Sequence, residues 1–154
     1  MKGKLSAVFP AFNEVDNIEN LVRFADNYLP TVFEDHEIIV VDDGSTDGTG
    51  PLVDRLALEM GSVVAVHHEG NRGYGASLRS GFDAATGDFI FFTDGDGQFD
   101  LTQLPRLAKL AADGIDIACG YRTHRADPLI RLINARLYNI VIRIVFGLAV
   151  KDID

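Results

Sequence analysis

Short apolar runs alternate with segments of helical period along this chain, and this alternation restricts the fold more than any other feature of the sequence. It predicts parallel strands joined by crossover helices, which is an α/β arrangement in the order βαβαβαβαβα. Polar or glycine-rich residues follow four of the runs, where a ligand binds at the carboxyl edge of an open sheet. The strands are expected at 5–9, 37–41, 63–67, 88–93 and 116–120, and the helices at about 15–29, 47–60, 74–85, 101–113 and 128–147.

Length and composition fit one domain over residues 1–154, with 47% hydrophobic residues and no repeat or linker. A net charge of -9 argues against nonspecific nucleic-acid binding, which needs clustered cations. The single cysteine, Cys119, cannot form an intrachain disulfide and is expected to be a small buried strand residue. No apolar export signal precedes the first strand, so we expect a cytoplasmic protein.

The strongest chemical signal is an apolar strand that runs directly into Asp94-Gly95-Asp96. Two carboxylates at this spacing can converge on one hard cation, and Mg²⁺ or Mn²⁺ shares its remaining sites with substrate phosphates. Gln98 can add a neutral oxygen, and the glycines allow a diphosphate to approach the backbone. The alternative is an ordinary turn, since Asp and Gly are also the commonest turn formers. The motif alone does not decide between the two.

Two other classes of site use similar acidic motifs. A calcium EF-hand loop starting at Asp94 needs glycine and glutamate where this chain has Phe99 and Pro105, which excludes that site. A phosphohydrolase of the haloacid-dehalogenase type would use Asp94 as its nucleophile. That class normally carries the motif near the start of the domain and has Thr or Val in place of Gln98. It also needs a later Lys and an acidic pair that we do not recognise here.

A second acidic pair, Asp42-Asp43, also follows an apolar run. Carboxylates at the end of a strand can accept hydrogen bonds from base N–H groups or ribose hydroxyls, which suits a nucleoside. The Ser-Thr-Asp run at 45–47 predicts capping of the next helix, which Gly61 is placed to end, but capping does not explain the two acids. After the first strand, the ring of Phe12 is a candidate to pack near the base.

Taken in order, these segments resemble the motifs of family 2 glycosyltransferases, and within that family the dolichol- or polyprenyl-phosphate mannosyl- and glucosyltransferases. The likeness covers nearly the whole chain. It implies a glycosyltransferase-A fold, with a Rossmann-like, mostly parallel sheet flanked by helices, and a hexosyltransferase of the inverting type. The segments that carry it are FPAFNE at 9–14, VDDGSTD at 41–47, NRG at 71–73, GFDAATGD at 81–88 and DGDGQ at 94–98.

The resemblance also assigns site residues by matching positions, and Phe12 stands where relatives more often have Tyr. Catalysis would involve Asp94, Asp96 and Arg122. The metal would be held by Asp94, Asp96 and Gln98. The donor or acceptor phosphate would be bound by Arg122, Arg125 and Arg131, unless this is only a solvated charged loop. The nucleotide sugar would be bound by Pro10, Phe12, Glu14, Asp42, Asp43, Arg72, Gly73, Asp94, Gly95 and Asp96.

The mechanism expected from this resemblance follows from charge. Departure of the nucleoside diphosphate leaves extra negative charge, which a divalent ion and a nearby arginine stabilise. A lipid-phosphate acceptor is already ionised at neutral pH and needs little help from a general base. His67 and His68 follow a strand, and we expect them to be structural or solvent-facing.

The last part of the chain is basic. Residues 121–151 hold six Lys or Arg and one Asp, although the whole chain has a net charge of -9. Apolar residues recur every three or four positions from Ile133 to Leu148, so the sequence predicts a basic amphipathic helix over 128–150. Residues 129–150 would either lie in an anionic membrane interface, peripheral at its inner face, or pack on the sheet or a partner chain.

In the resembled enzymes the chain continues past this point, so we expect a C-terminally truncated sequence with a complete donor site and an incomplete acceptor site. The first hypothesis is transfer of a hexose from a GDP- or UDP-sugar to a polyprenyl or dolichyl phosphate. The second is a nucleotide-sugar-binding module without transfer activity. A glycosyltransferase acting on a polysaccharide or glycan is a further alternative.

Overall fold

Strands and helices alternate along the described part of the chain, which comprises residues 1–97, 99–112 and 114–120 of a computed structural model. The strands are β1 (Lys4–Ala11), β2 (Asp35–Asp42), β3 (Val63–His67) and β4 (Phe89–Phe92). The helices are α1 (Ile18–Tyr28), α2 (Thr49–Glu59), α3 (Tyr74–Ala84) and α4 (Leu104–Ala112), with 3₁₀ turns at Leu29–Thr31 and Leu101–Gln103. The first four predicted strands and the first four predicted helices are therefore confirmed, with shifted ends.

The four strands form one parallel sheet in the order β3-β2-β1-β4. The chain runs outward from β1 to β3 and then returns to the other side of β1 to form β4. The direction of winding thus reverses between β1 and β4. In open α/β sheets, ligands bind beyond the carboxyl ends of the strands at such a reversal.

The two central strands are buried on both faces, as parallel strands between helices must be. On one face, Phe9 and Val40 belong to a cluster that includes Val22 of α1 and Leu56 of α2. On the other face, Val8, Ile39 and Val41 pack together, with Ala84 at the end of α3 against them. The helices therefore hold the middle of the sheet, and the loops at its carboxyl edge start from fixed strand ends.

A buried glutamate, Glu37, forms a hydrogen-bonded cluster at the opposite, amino edge of the sheet. Glu37 accepts hydrogen bonds from Lys4 Nζ at 2.8 Å and from Ser6 Oγ at 2.6 Å. It also accepts from the Thr86 N–H at 2.7 Å, and Gly87 N–H donates to Ser6 Oγ at 2.8 Å. Burial alone would raise the pKa of Glu37, but these hydrogen bonds outweigh burial and lower its pKa to about 2. The cluster ties the loop before β4 to β1 and β2.

The fifth predicted strand, 116–120, is wrong. Residues 115–120 form no strand, Ile117 is 79% exposed, and Cys119 is exposed rather than buried. Strand propensity measures how well a side chain fits a pleated, half-buried surface. Within the described residues this run has no hydrogen-bonded neighbouring strand, so the propensity of Ile115 and Ile117 does not produce one.

Two predicted helix boundaries also differ from those found. The N-cap of α2 is Gly48, not the Ser-Thr-Asp run, although Asp47 Oδ1 accepts the Thr49 N–H at 3.0 Å. The helix ends at Glu59, before Gly61. Helix α1 begins at Ile18 rather than near 15, because Asn13 adopts a φ of 58° and the following residues form a turn.

Several predictions lie outside the described residues: the helix over 128–150 and the roles of Gln98, Arg122, Arg125 and Arg131. In the ranges that the structure describes, no helix combines the length and the apolar character needed to cross a membrane.

Candidate functional site

The loops that follow the four strands meet at the carboxyl edge of the sheet, and the first two are linked by hydrogen bonds. Asn13 N–H donates to Ser45 Oγ at 3.0 Å, and Thr46 N–H donates to Asn13 Oδ1 at 2.9 Å. Val15 N–H donates to Asp47 Oδ2 at 3.1 Å. The left-handed backbone at Asn13 is one that asparagine tolerates better than most residues. The motifs at 9–14 and 41–47 therefore form one structural unit.

The three candidates after β1 differ in exposure. Pro10 is buried within the strand, beside Val41 of β2. Phe12 is 44% exposed and presents its ring at the edge of the sheet. Glu14 is half-buried, and its Oε2 accepts from the side chain of Asn17 at 2.8 Å. Phe12 is thus the one of the three with a large face open to a ligand.

Asp42 is 5% exposed and is held from two sides. Its Oδ1 accepts the Ser45 N–H at 3.0 Å, and its Oδ2 lies 3.1 Å from Nδ1 of His67. The other ring nitrogen of His67 lies 3.0 Å from Asp54 Oδ1. Burial alone would lower the pKa of His67, but the hydrogen bonds to the two carboxylates raise it above its usual value.

Asp43 is 4% exposed and turned towards the loop that precedes α3. Its Oδ1 accepts the Arg72 N–H at 2.9 Å and lies 2.6 Å from His68 Nδ1. Its Oδ2 accepts the Gly73 N–H at 2.8 Å. Burial would raise the pKa of Asp43, but the bonds to His68, Arg72 and Gly73 lower it overall. Three of the roughly four acceptor positions of this carboxylate are thus used by the protein.

Asp94-Gly95-Asp96 continues from β4 alongside the end of β1. Thr93 N–H donates to Val8 O at 3.3 Å and Gly95 N–H to Pro10 O at 3.1 Å. A Cβ at Gly95 would lie 2.7 Å from Pro10 O, so no side chain fits there. Gly95 is required by contact with β1, a reason that the sequence did not reveal. Asp94 is exposed and Asp96 half-buried on either side of this fixed point.

Sequence reasoning missed Tyr74, and it assigned no functional role to His68, which it expected to be structural or solvent-facing. Tyr74 is the first residue of α3, and its hydroxyl interacts with Asp94. Burial, followed by the hydrogen bond to Asp94, raises the pKa of Tyr74 to about 12. The available signals were an aromatic residue directly after the 71–73 motif and a histidine pair at the end of β3.

Asp94 and Asp96 are the candidates to hold a hard cation together with a substrate phosphate. The described ranges contain no group of three or more His, Cys, Asp or Glu side chains that could hold a metal ion. Mg²⁺ is usually bound through one or two carboxylates, with waters and substrate phosphates in the other positions. Asp94 and Asp96 supply that number of carboxylates, and Gln98 lies outside the described residues.

A cavity of about 350 Å³ adjoins Asp96. Its walls combine the amides of Asn17 and Asn20 with the rings of Phe24 and Phe99. Amides and carboxylates hydrogen-bond hydroxyl groups, and aromatic rings cover apolar faces. Such walls suit a hydroxylated ligand of moderate size.

The parallel sheet reverses its winding between β1 and β4, and acidic motifs follow β2 and β4; this arrangement is typical of the class of α/β proteins that bind nucleotides at the carboxyl edge of the sheet. Residues 6–146 match Glycosyl transferase family 2. The chain belongs to this family, which confirms the resemblance found in its motifs.

Two curated relatives share the name undecaprenyl-phosphate 4-deoxy-4-formamido-L-arabinose transferase. The one from Klebsiella pneumoniae (strain 342) is 34% identical over 150 residues, which is 97% of this chain and 46% of the relative. The one from Pseudomonas fluorescens (strain SBW25) is 35% identical over 149 residues, covering 96% of this chain and 44% of the relative. The chain thus spans a little under half the length of these relatives.

Two solved structures share the fold. The mannosyltransferase PcManGT from Pyrobaculum calidifontis, in complex with GDP-Man and Mn²⁺, aligns with a TM-score of 0.63 and 28% identity. This alignment covers 73% of this chain and 33% of PcManGT. TarS 1-349 from S. aureus, in complex with UDP-GlcNAc, aligns with a TM-score of 0.55 and 27% identity over 81% of this chain and 37% of TarS. The glycosyltransferase-A fold expected from the motifs is confirmed.

Proposed function

We propose that this chain is a domain, residues 1–154, of an inverting hexosyltransferase. It binds a GDP- or UDP-hexose and transfers the sugar to a polyprenyl phosphate with the help of Mg²⁺ or Mn²⁺. The observation that carries the proposal is the Asp94-Gly95-Asp96 turn, which contact between Gly95 and Pro10 fixes at the reversal of the sheet. The names of the curated relatives and the ligands of PcManGT and TarS support it.

The donor half of this proposal rests on the four loops at the carboxyl edge. Phe12 offers an exposed ring for the base, beside the loop that carries Asp42 and Asp43. Arg72 is exposed where that loop meets the start of α3, and a guanidinium suits a phosphate. Asp94 and Asp96 follow β4, which is the strand next to β1. The base and the diphosphate would therefore be bound along one continuous edge of the sheet.

Transfer requires stabilisation of the charge on the leaving diphosphate. A cation held by Asp94, Asp96 and Gln98 would neutralise part of that charge. Arg122 would add a second positive group, and Arg125 and Arg131 would bind the acceptor phosphate. Because a phosphate acceptor is already ionised, the chain needs only to orient it towards the sugar.

The basic segment over 128–150 is proposed as an amphipathic helix at an anionic membrane interface, next to the lipid acceptor. Peripheral contact at the inner face of the membrane fits the lipid phosphate in the names of the curated relatives. Flotation with liposomes tests this part: equal binding to neutral and anionic vesicles would contradict it.

Calorimetric titration with GDP, UDP, GDP-mannose and UDP-glucose, in Mn²⁺ and in a chelator, tests the donor site. We expect one base to bind, with affinity that falls by at least tenfold in chelator. Asp96→Asn should remove the metal-dependent part, whereas Asp83→Asn, an exposed acid near the other end of α3, should not. Absence of binding, or binding that chelator does not change, would refute the metal-diphosphate site.

A second candidate is a nucleotide-sugar-binding module without transfer activity. The observation in its favour is that Phe12, Arg72 and the 94–96 turn, which carry the proposal, all belong to its donor side. Incubation with a radiolabelled donor and either undecaprenyl phosphate or a glycan acceptor separates the candidates. Labelled lipid supports the transferase, a labelled glycan points to a different acceptor, and donor binding without any product supports the module.

A further inference from the structure

A hydrogen-bond chain joins Asp43 of the candidate site to His68 and Ser80; Asp43 and His68 are buried, and Ser80 is half-buried. His68 Nδ1 lies 2.6 Å from Asp43 Oδ1, and His68 Nε2 lies 2.8 Å from Ser80 Oγ on α3. The side chains of His68 and Asp43 are 4% and 5% exposed. Because the carboxylate can only accept, His68 carries its proton on Nδ1 towards Asp43.

This order of groups is that of a hydrolytic triad, but its placement does not suit nucleophilic attack. Ser80 lies in the middle of the α3 sequence, on a half-buried helical position, and the His68 side chain is only 4% exposed. A nucleophile needs an exposed oxygen with donors aimed at the developing oxyanion. The hydrogen-bond chain therefore holds the Asp43 carboxylate in place instead of activating the Ser80 hydroxyl.

Asp43 in turn accepts hydrogen bonds from the backbone just before α3. The Arg72 and Gly73 N–H groups bond to different oxygens of this one carboxylate, so its rotation determines where both lie. The next residue, Gly44, packs directly against the same loop: a Cβ at Gly44 would lie 2.5 Å from the backbone of Gly70, so no side chain fits there. The loop before α3 is thus held against residues 43 and 44 by two hydrogen bonds to Asp43 and by close packing on Gly44.

We infer that His68 is a positioning residue of the nucleotide-sugar site: through Asp43 it fixes the Arg72–Gly73 backbone and sets where Arg72 meets the ligand. The inference rests on the proposed function for its ligand. It adds a residue that makes no contact with that ligand itself, and it gives Asp43 a task inside the protein, as the link between His68 and the loop.

The chain offers a matched control. His36 Nε2 lies 3.1 Å from Asp26 Oδ1, and the His36 side chain is 13% exposed, so this is a second His–Asp pair near the amino end of β2. His68→Leu and His36→Leu remove the same kind of bond at the two ends of the sheet. His68→Asn restores a donor near the position of Nδ1 but cannot reach Ser80. Ser80→Ala removes only the outer bond.

The first measurement is amide hydrogen exchange of the full 154-residue chain by NMR. We expect exchange at Arg72 and Gly73 to rise at least tenfold in His68→Leu, to be largely restored in His68→Asn, and to stay unchanged in His36→Leu. Unchanged exchange in His68→Leu would overturn the inference. If His68→Leu does not fold, Ser80→Ala decides, with a rise of about threefold expected and no rise overturning it.

The second measurement is the affinity for UDP and GDP in Mn²⁺. His68→Leu should weaken binding of the preferred nucleotide at least tenfold, and His68→Asn should recover most of it. Equal binding by His68→Leu and wild type, or no recovery in His68→Asn, would contradict positioning. Covalent labelling of Ser80 by a fluorophosphonate would show the rejected nucleophilic role. If the wild type binds neither nucleotide, the proposed function fails, while the exchange measurement still decides whether His68 fixes the loop.

Discussion

The two ends of the parallel sheet treat their buried carboxylates in opposite ways. At the amino edge, Glu37 is paired with Lys4, so its charge is cancelled inside the protein. At the carboxyl edge, Asp42 and Asp43 are held by histidines and backbone N–H groups. Backbone N–H groups are neutral donors, so they fix a carboxylate without cancelling its charge. The amino edge therefore holds its carboxylate in an ion pair, whereas the carboxyl edge holds its carboxylates through histidines and backbone N–H groups, at the site that we propose for the nucleotide sugar.

The largest test of this contrast is Glu37→Ala. Loss of the carboxylate leaves Ser6 and the Thr86 N–H without their acceptor and Lys4 without its partner. We expect the free energy of unfolding to fall by about 3 kcal/mol, at the lower end of the range for a buried pair because Lys4 is 30% exposed. Urea unfolding measures this, with the exposed Glu34→Ala as control. Nucleotide affinity should stay within twofold; a larger loss would mean that the edges are not independent.

The pH dependence of stability tests the same cluster without a change of fold. The pKa of Glu37 is lowered from 4.5 to about 2, so its contribution is present above pH 4.5 and is lost as the pH falls towards 2. Between pH 5 and pH 3 the wild type should lose about 2 kcal/mol more than Glu37→Gln, which has no titrating group there. Urea unfolding measures this, and an equal loss of unfolding free energy in the two proteins between pH 5 and pH 3 would contradict the low pKa.

At the carboxyl edge, Gly95→Ala tests whether contact with β1 places the two acids. The new Cβ would lie 2.7 Å from Pro10 O, so the turn must move. We expect a loss of about 1 kcal/mol of stability and about a tenfold loss of Mn²⁺-dependent nucleotide affinity. Gly61→Ala, which meets nothing within 4 Å, should change neither. Unchanged affinity in Gly95→Ala would separate the fixed turn from metal binding.

The sequence predicted those parts of the molecule that depend on local pattern. Alternation of apolar runs and helical segments located β1 to β4, and the acids after β2 and β4 lie at the carboxyl edge of the sheet, as predicted. It failed where the outcome depends on contacts between distant segments. The run at 116–120 has strand residues but no neighbouring strand in the described structure. The bond from His68 to Asp43 joins positions 25 residues apart and leaves no periodic trace.

The smallest expected effect concerns Phe12, whose ring is 44% exposed beside the loop that carries Asp42. If the ring stacks on the base, Phe12→Leu should weaken binding of the preferred nucleotide about fivefold, because one stacking contact is worth about 1 kcal/mol or more. Phe12→Tyr keeps the aromatic face and should bind as well as the wild type. Phe82→Leu, on α3 with 37% exposure, controls for the loss of any partly exposed ring.

Calorimetry with nucleotide and with pyrophosphate completes the test of Phe12, since pyrophosphate has no base and its affinity should not change in Phe12→Leu. An equal loss for both ligands would mean that Phe12 supports the loop between Asn13 and Ser45, and that the base is bound elsewhere along the edge.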